Sequence, residues 1–183
     1  LPQHHQGSFD DHRLELRHED ARGYLRDTSE QFDVMIMDLV DPMEGGPAYL
    51  LYTEEYYRIV RDRLRAGGIM VTQSGPAGLL ALRECFTTIH KTLSGIFSHT
   101  LPCQIHVPAF HTLWGFNIAS NTALKSWQNA SGLDCLIADR ITKPLKFYDS
   151  ETHTSMFSLP KFIRDGILDE QRINRDDDPV FMV

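Results

Sequence analysis

Apolar residues cluster in short runs separated by polar turns, and the runs alternate between two periods. Arg13-Leu-Glu-Leu-Arg-His18 alternates every second residue and predicts a strand, with His18-Glu-Asp20-Ala-Arg22 as its exit. Ala21–Arg26 predicts a short helix. Phe32-Asp-Val-Met-Ile-Met-Asp38 is a compact apolar run and predicts a fully buried strand. Thr53 can cap a helix that runs to Leu64, Glu54 and Glu55 suit its positive end, and Gly67-Gly68 is expected to stop it. Ile69–Gln73 predicts a third buried strand and Ser74-Gly-Pro-Ala-Gly78 its exit turn. Leu82, Phe86, Ile89 and Leu93 fall on one face of a helix predicted over Leu79–Leu93. Phe97–Val107 and Leu113–Ser120 then read as two strands with no helix between them, hence an antiparallel pair. Short helices are expected around Trp127, over Leu133–Arg140 and over Thr154–Gly166. Arg172–Val183, with Asp176-Asp177-Asp178, reads as a solvated tail.

Three parallel strands with crossover helices, closed by an antiparallel hairpin at one edge, define an α/β sheet of the nucleoside-binding kind. Residues 1–170 are expected to form part of one such domain and 171–183 its tail. The first half of such a sheet would carry a glycine-rich turn, and no GxGxxG is present. The chain opens on Leu-Pro-Gln-His-His without methionine and reads as the middle of a longer protein. On that expectation the Asp38 strand, central in a whole sheet, has an unpaired edge here, and residues 1–183 alone would neither bind a nucleoside cosubstrate nor turn it over.

Composition narrows the setting. No stretch of about 18 uninterrupted apolar residues exists, so no membrane span is expected. Cys85, Cys103 and Cys135 are widely spaced and odd in number, which suits reduced thiols in a cytoplasmic setting and no metal site. A net charge of −7 disfavours nucleic acid and is compatible with a cationic substrate.

The candidate chemistry sits where the second parallel strand ends. Asp38 and Asp41 lie three residues apart, followed by Pro42, Gly45-Gly46 and Pro47. In open α/β sheets the ligand crevice lies beyond the carboxyl ends of the strands, so acids there face a substrate. Ordinary loop chemistry, with Asp38 as a cap, is the plainer alternative.

Several motifs in register carry a resemblance. His18-Glu-Asp20-Ala21-Arg22, the Asp38-x-x-Asp41-Pro…Gly46-Pro47 loop, Leu51-Tyr52-Thr53-Glu-Glu-Tyr-Tyr57, Gly67-Gly68-Ile-Met-Val-Thr-Gln73 and Phe147-Tyr-Asp-Ser-Glu-Thr-His153…Phe157-Ser-Leu-Pro160 resemble the polyamine aminopropyltransferases, the spermidine and thermospermine synthases. The resemblance covers roughly residues 8 to 166, the C-terminal two-thirds of that family. It implies a methyltransferase-like Rossmann sheet whose N-terminal β domain and first strands are absent here. The implied reaction transfers an aminopropyl group from decarboxylated S-adenosylmethionine to a polyamine amine and releases methylthioadenosine, with no cofactor or metal. Homo-oligomers are usual in the family.

Residue by residue, the resemblance makes Asp38 the proton acceptor and Asp41 a ligand of the cationic acceptor. Asp20 and Ala21 resemble the pair that meets the adenine ring, although Asp20 could equally cap the following helix. Pro47 resembles a proline beside the adenine. Gln73 resembles an acceptor-pocket residue, with a plain sheet-edge hydrogen bond as the alternative. Phe110 stands where spermidine synthases usually carry tyrosine, and it and Trp114 could stack on an alkyl or cationic chain or simply belong to the core. Glu151 and His153 are left outside the site as a packing segment. Leu39-Val40, the longer Met43–Gly46 loop, Phe110 and Trp114-Gly-Phe116 are closer to thermospermine synthases. Spermidine synthases and agmatine aminopropyltransferases share part of the pattern. A methyltransferase on the same fold and a non-catalytic partner subunit remain as readings from other classes.

Overall fold

The computed structural model describes residues 2–124 and 129–182. The chain runs through helices α1 (Pro2–His5) and α2 (Ala21–Asp27), strand β1 (Phe32–Met37), helix α3 (Glu54–Arg63) and strand β2 (Leu64–Pro76). Helix α4 (Phe86–Ser94), strands β3 (His99–Val107) and β4 (Thr112–Ser120), and helices α5 (Leu133–Arg140), α6 (Ser150–Phe157) and α7 (Lys161–Asp169) complete it. The four strands form one mixed sheet in the order β1-β2-β4-β3, with β1 and β2 parallel and the other pairings antiparallel. The fold is α/β, as expected. No described helix is long and apolar enough to cross a membrane.

Strand alternation explains where the core lies. Met35 and Met37 of β1 and Met70 of β2 point to one face, where Tyr52, Tyr56, Tyr57, Val60, Ile89 and Leu93 cover them. At the far end of that layer Phe86, Ala77, Leu159 and Ile163 make a second cluster. Leu101, Ile118 and Leu124 pack against Ile69, Val71 and Phe157 in a third.

Several expectations are corrected. Residues 13–18 form no strand, because no described strand lies beside them to complete a ladder; Leu14 and Leu16 stay exposed. The parallel strands therefore number two, not three. β1 is not fully buried: it is the edge of the sheet, with Val34 and Ile36 58% and 72% exposed. About 1.5–3 kcal/mol of burial per side chain is thus unrealised.

Gly67 and Gly68 do not stop α3, which ends earlier as Leu64 turns extended. They sit in a bulge of β2, where Gly67 takes φ 81°. β2 also runs through the expected turn to Pro76, kinked at Gly75. α4 starts at Phe86 rather than Leu79, because irregular turns closed by Leu82 N→Gly78 O and Thr87 N→Leu82 O occupy the intervening residues, with Leu79 and Leu80 exposed. The predicted stripe of Leu82, Phe86, Ile89 and Leu93 is buried all the same.

Thr154–Gly166 is two helices, since Pro160 has no N–H to continue the first one. Leu133–Arg140 is a helix as predicted, and the helix expected around Trp127 lies outside the described residues. The C-terminal segment is no solvated tail: Asn174 is buried, and Asp176 pairs with Arg22.

Candidate functional site

Parallel pairing puts the carboxyl ends of β1 and β2 at one edge of the sheet. Met37 pairs with Thr72, so Asp38 and Gln73 follow side by side. The antiparallel hairpin brings its turn to that same edge, pairing Gln73 with Phe116, Pro76 with Trp114 and Val107 with Thr112. A 3-10 turn, Pro108–Phe110, closes the hairpin through His111 at φ 53°.

A cavity of about 440 Å³ opens there, lined by Asp38, Leu39, Val40, Asp41, Gln73, Val107, Phe110, Trp114 and Phe116. Its walls are apolar, and among the described residues its only charged lining groups are the two acids, with no lysine or arginine. A smaller concavity of about 280 Å³ shares Asp38, Gln73 and Phe116 and continues along the open face over Ile36 and Val71.

Gln73 organises this edge. Its Oε1 accepts from Trp114 Nε1 (2.8 Å) and from Gly75 N (3.1 Å), which fixes the amide orientation. Nε2 therefore faces three oxygens: Leu39 O (3.0 Å), Asp41 Oδ1 (3.1 Å) and Tyr52 Oη (2.5 Å). The Tyr52 hydroxyl donates onward to Val40 O (3.1 Å). Three successive residues of the acid loop, Leu39 to Asp41, are thus tied to one buried network. Burial pushes the Tyr52 phenol up from its ordinary range, so it stays a donor.

The two acids differ in their surroundings. Asp41 is half-buried and held by Gln73, whereas Asp38 is exposed and accepts no hydrogen bond from the described residues. Phe110 is 54% exposed at the mouth, its ring 4.5 Å from that of the buried Trp114.

The structure therefore brings together Asp38, Asp41, Gln73 and Phe110 of the predicted residues. It does not bring Asp20, Ala21 or Pro47 into the cavity. The Asp20 carboxylate caps α2, accepting from Arg22 N (3.1 Å) and Gly23 N (3.0 Å). Ala21 lines a separate concavity with Glu15, Arg17, Tyr24 and Phe32, and Pro47 is exposed on the loop. His153 is buried, hydrogen-bonded to Tyr148 Oη (2.6 Å) and packed on Phe157, and it does not line the cavity. All three cysteines are free; burial pushes the Cys85 and Cys103 thiols up to about 12.

Sequence reasoning missed Tyr52, Val107 and Phe116 as site residues. Val107 was visible only as a strand member, and Phe116 only within the Trp114-Gly-Phe116 run, with no role given to it. Tyr52 belongs to a motif whose hydroxyl contact depends on the loop path.

A model of the spermine/spermidine synthase domain matches residues 1–131. The chain belongs to that family. Among its relatives, polyamine aminopropyltransferase 2 of Hyperthermus butylicus is 41% identical over 182 residues, covering 100% of this chain and 59% of the relative. The polyamine aminopropyltransferase of Sulfolobus acidocaldarius is 36% identical, covering 98% of this chain and 59% of the relative. Thermospermine synthase ACAULIS5 of Arabidopsis thaliana is 33% identical over 96% of this chain and 51% of its own. The chain thus spans 59% or less of these relatives' lengths. A crystal structure of spermidine synthase from Thermotoga maritima superposes with a TM-score of 0.74 at 25% identity, covering 91% of this chain and 53% of that one. The architecture is accordingly the C-terminal part of the spermidine synthase fold.

Proposed function

We propose that the protein containing this chain transfers an aminopropyl group from decarboxylated S-adenosylmethionine to spermidine, giving thermospermine and methylthioadenosine. The observation that carries this reading is the pair of acids in the wall of an apolar cavity, with no lysine or arginine beside them among the described lining residues. Alkyl amines need such a place: carboxylates for the ammonium groups and hydrocarbon walls for the methylenes.

An alkylamine with a pKa near ~10 is mostly an ammonium at neutral pH and has no lone pair for attack. Asp38, exposed and without a hydrogen-bond donor among the described residues, takes the proton, and the freed lone pair of the amine nitrogen attacks the methylene next to the sulfonium. The C–S bond breaks with its electron pair going to sulfur, which leaves as the neutral thioether. The donor is already an activated electrophile, so the contribution of the protein is proton acceptance and alignment. Asp41 binds a cationic amine of the acceptor. Gln73, whose polar atoms are all engaged by protein groups, acts on the acceptor through Asp41. Asp20 and Ala21 meet the adenine and Pro47 packs beside it. In this role the Asp20 carboxylate serves three donors, the N–H groups of Arg22 and Gly23 and the adenine amine.

Leu39, Val40, Val107, Phe110, Trp114 and Phe116 supply apolar wall on which a triamine, with more methylenes to bury, should bind better than putrescine. The relative named thermospermine synthase supports the same choice. Three free cysteines, two of them buried, support a cytoplasmic setting, and the charge of −7 suits small amines rather than nucleic acid as partners. Family membership suggests a homo-oligomer that works away from the membrane.

Product chromatography on the complete gene product tests the reading. Decarboxylated S-adenosylmethionine with spermidine should yield thermospermine and methylthioadenosine. A preference for putrescine would make it a spermidine synthase, and turnover of ordinary S-adenosylmethionine instead would make it a methyltransferase.

A further inference from the structure

The last described residues, from Glu170 to Met182, hold no helix or strand, yet they are tied down at every few residues. The Glu170 carboxylate accepts from Thr87 Oγ1 (2.7 Å) and Thr88 Oγ1 (3.2 Å) of α4. Asn174 is 1% exposed; its N–H donates to Thr92 Oγ1 (2.9 Å), its carbonyl accepts from Glu54 N (2.7 Å), and its side chain accepts from Val180 N (2.9 Å).

Beyond that anchor the strap reaches both halves of the site. The Asp176 carboxylate takes a two-pronged bond from Arg22 (Nη1 2.9 Å, Nη2 2.6 Å) and lies 2.6 Å from Thr53 Oγ1. Arg22 Nη1 also donates to Leu50 O (3.1 Å). Arg22 is in the first turn of α2, directly after Ala21, and Thr53 is the N-cap of α3. Farther on, the Phe181 ring lies 5.6 Å from that of Tyr49, and Met182 N donates to Pro42 O (3.1 Å), the residue after Asp41.

We propose that this strap positions the two substrates for each other: Asp176 sets the start of α2, and Val180–Met182 pin the acid loop at Pro42. The inference rests on the aminopropyl-transfer reading for what those two regions bind. Asp176 and Met182 touch neither reactant; they are positioning residues. A partly exposed ion pair contributes little to stability, while a two-pronged arginine bond fixes direction as well as distance. Its main effect is therefore on where the start of α2 sits, and so on how well the donor is held there.

Two variants of the complete gene product separate the arms. Asp176→Ala should raise the KM for decarboxylated S-adenosylmethionine by about 10-fold through misplacement of α2, with kcat falling less. Ending the chain after Asp178 should instead raise the KM for the amine by about 5-fold and leave the donor KM unchanged, because the Arg22 clasp survives. Arg22→Lys, which keeps the charge and loses the fork, should repeat the donor effect at a near-normal melting temperature. It carries the test if Asp176→Ala fails to fold. Hydrogen exchange at Met43 and Gly46, whose N–H groups close the acid-loop turns, should quicken in the truncated protein. That readout needs no turnover, so failure of the chemistry is distinguishable from failure of the strap. Lowered melting temperature and active fraction with both KM values unchanged would show a purely structural strap and overturn the proposal.

Discussion

The acid edge of the sheet and the start of α2 are the two regions proposed to meet the substrates, and they are built in opposite ways. At the acid edge, strand ends and one buried glutamine fix three consecutive loop residues, so the geometry exists before any ligand arrives. At α2, an exposed helix-capping aspartate faces solvent, and its carboxylate is already engaged by two backbone N–H groups. The difference teaches where tolerance lies. A network with every polar atom paired fails when one member is removed, because its partners become buried and unsatisfied. A cap is a local contact, and its loss costs only about 1 kcal/mol without stranding a buried partner.

The sharpest way to break that contrast is Gln73→Leu. Trp114 Nε1, Gly75 N and Asp41 would each lose a partner, so we expect a loss of about 3 kcal/mol by urea unfolding. The acceptor KM should rise by at least about 10-fold while the donor KM stays close to normal. Equal changes in both KM values would show that the two halves are not separately built.

Glu170, at the root of the strap between these regions, comes next. Burial by itself pushes its carboxyl up, but hydrogen bonds from Arg172 and Thr87 prevail and hold it down at about 2, against 4.5 in the unfolded chain. A depressed folded pKa stabilises above the unfolded value, so this contribution is complete above pH 4.5 and lost as pH falls toward 2. Glu170→Gln should lower stability by about 2 kcal/mol at pH 7, and the gap from the parent should narrow below pH 4.5 and close only as pH falls to about 2 in thermal melts across pH.

Asp20→Ala should cost about 1 kcal/mol from the lost cap and raise the donor KM alone, while Asp20→Asn keeps the cap to within a few tenths of a kcal/mol. The smallest effect is expected at Phe110. Phe110→Tyr restores a hydroxyl at an exposed position, so stability should move by less than about 0.5 kcal/mol while product chromatography shows a shift toward putrescine.

Much of this was legible in the chain. The β1 loop acids, the Thr53 cap, the antiparallel hairpin and the buried stripe of α4 follow from local period and cap chemistry, which act over a few residues. The misreadings share a cause: each depended on a partner distant in sequence. Leu14 and Leu16 alternate correctly but have no neighbouring strand, and Ile36 is apolar but lies on an edge. Asp176-Asp177-Asp178 looks solvated until Arg22, 154 residues away, supplies the counter-charge. In the site, Asp38, Asp41 and Gln73 were visible as strand-end residues, whereas the role of Tyr52 depends on the route of the loop to its hydroxyl.

The central claim is that Asp38 accepts the proton of the attacking amine, and Asp38→Asn in the complete gene product tests it most directly. Steady-state rates of methylthioadenosine release should fall by ~10²–10⁴ in kcat, the range expected for loss of a proton acceptor. Calorimetric binding of decarboxylated S-adenosylmethionine should be retained, since Asp38 serves the amine. A variant that keeps a near-normal kcat would contradict the account.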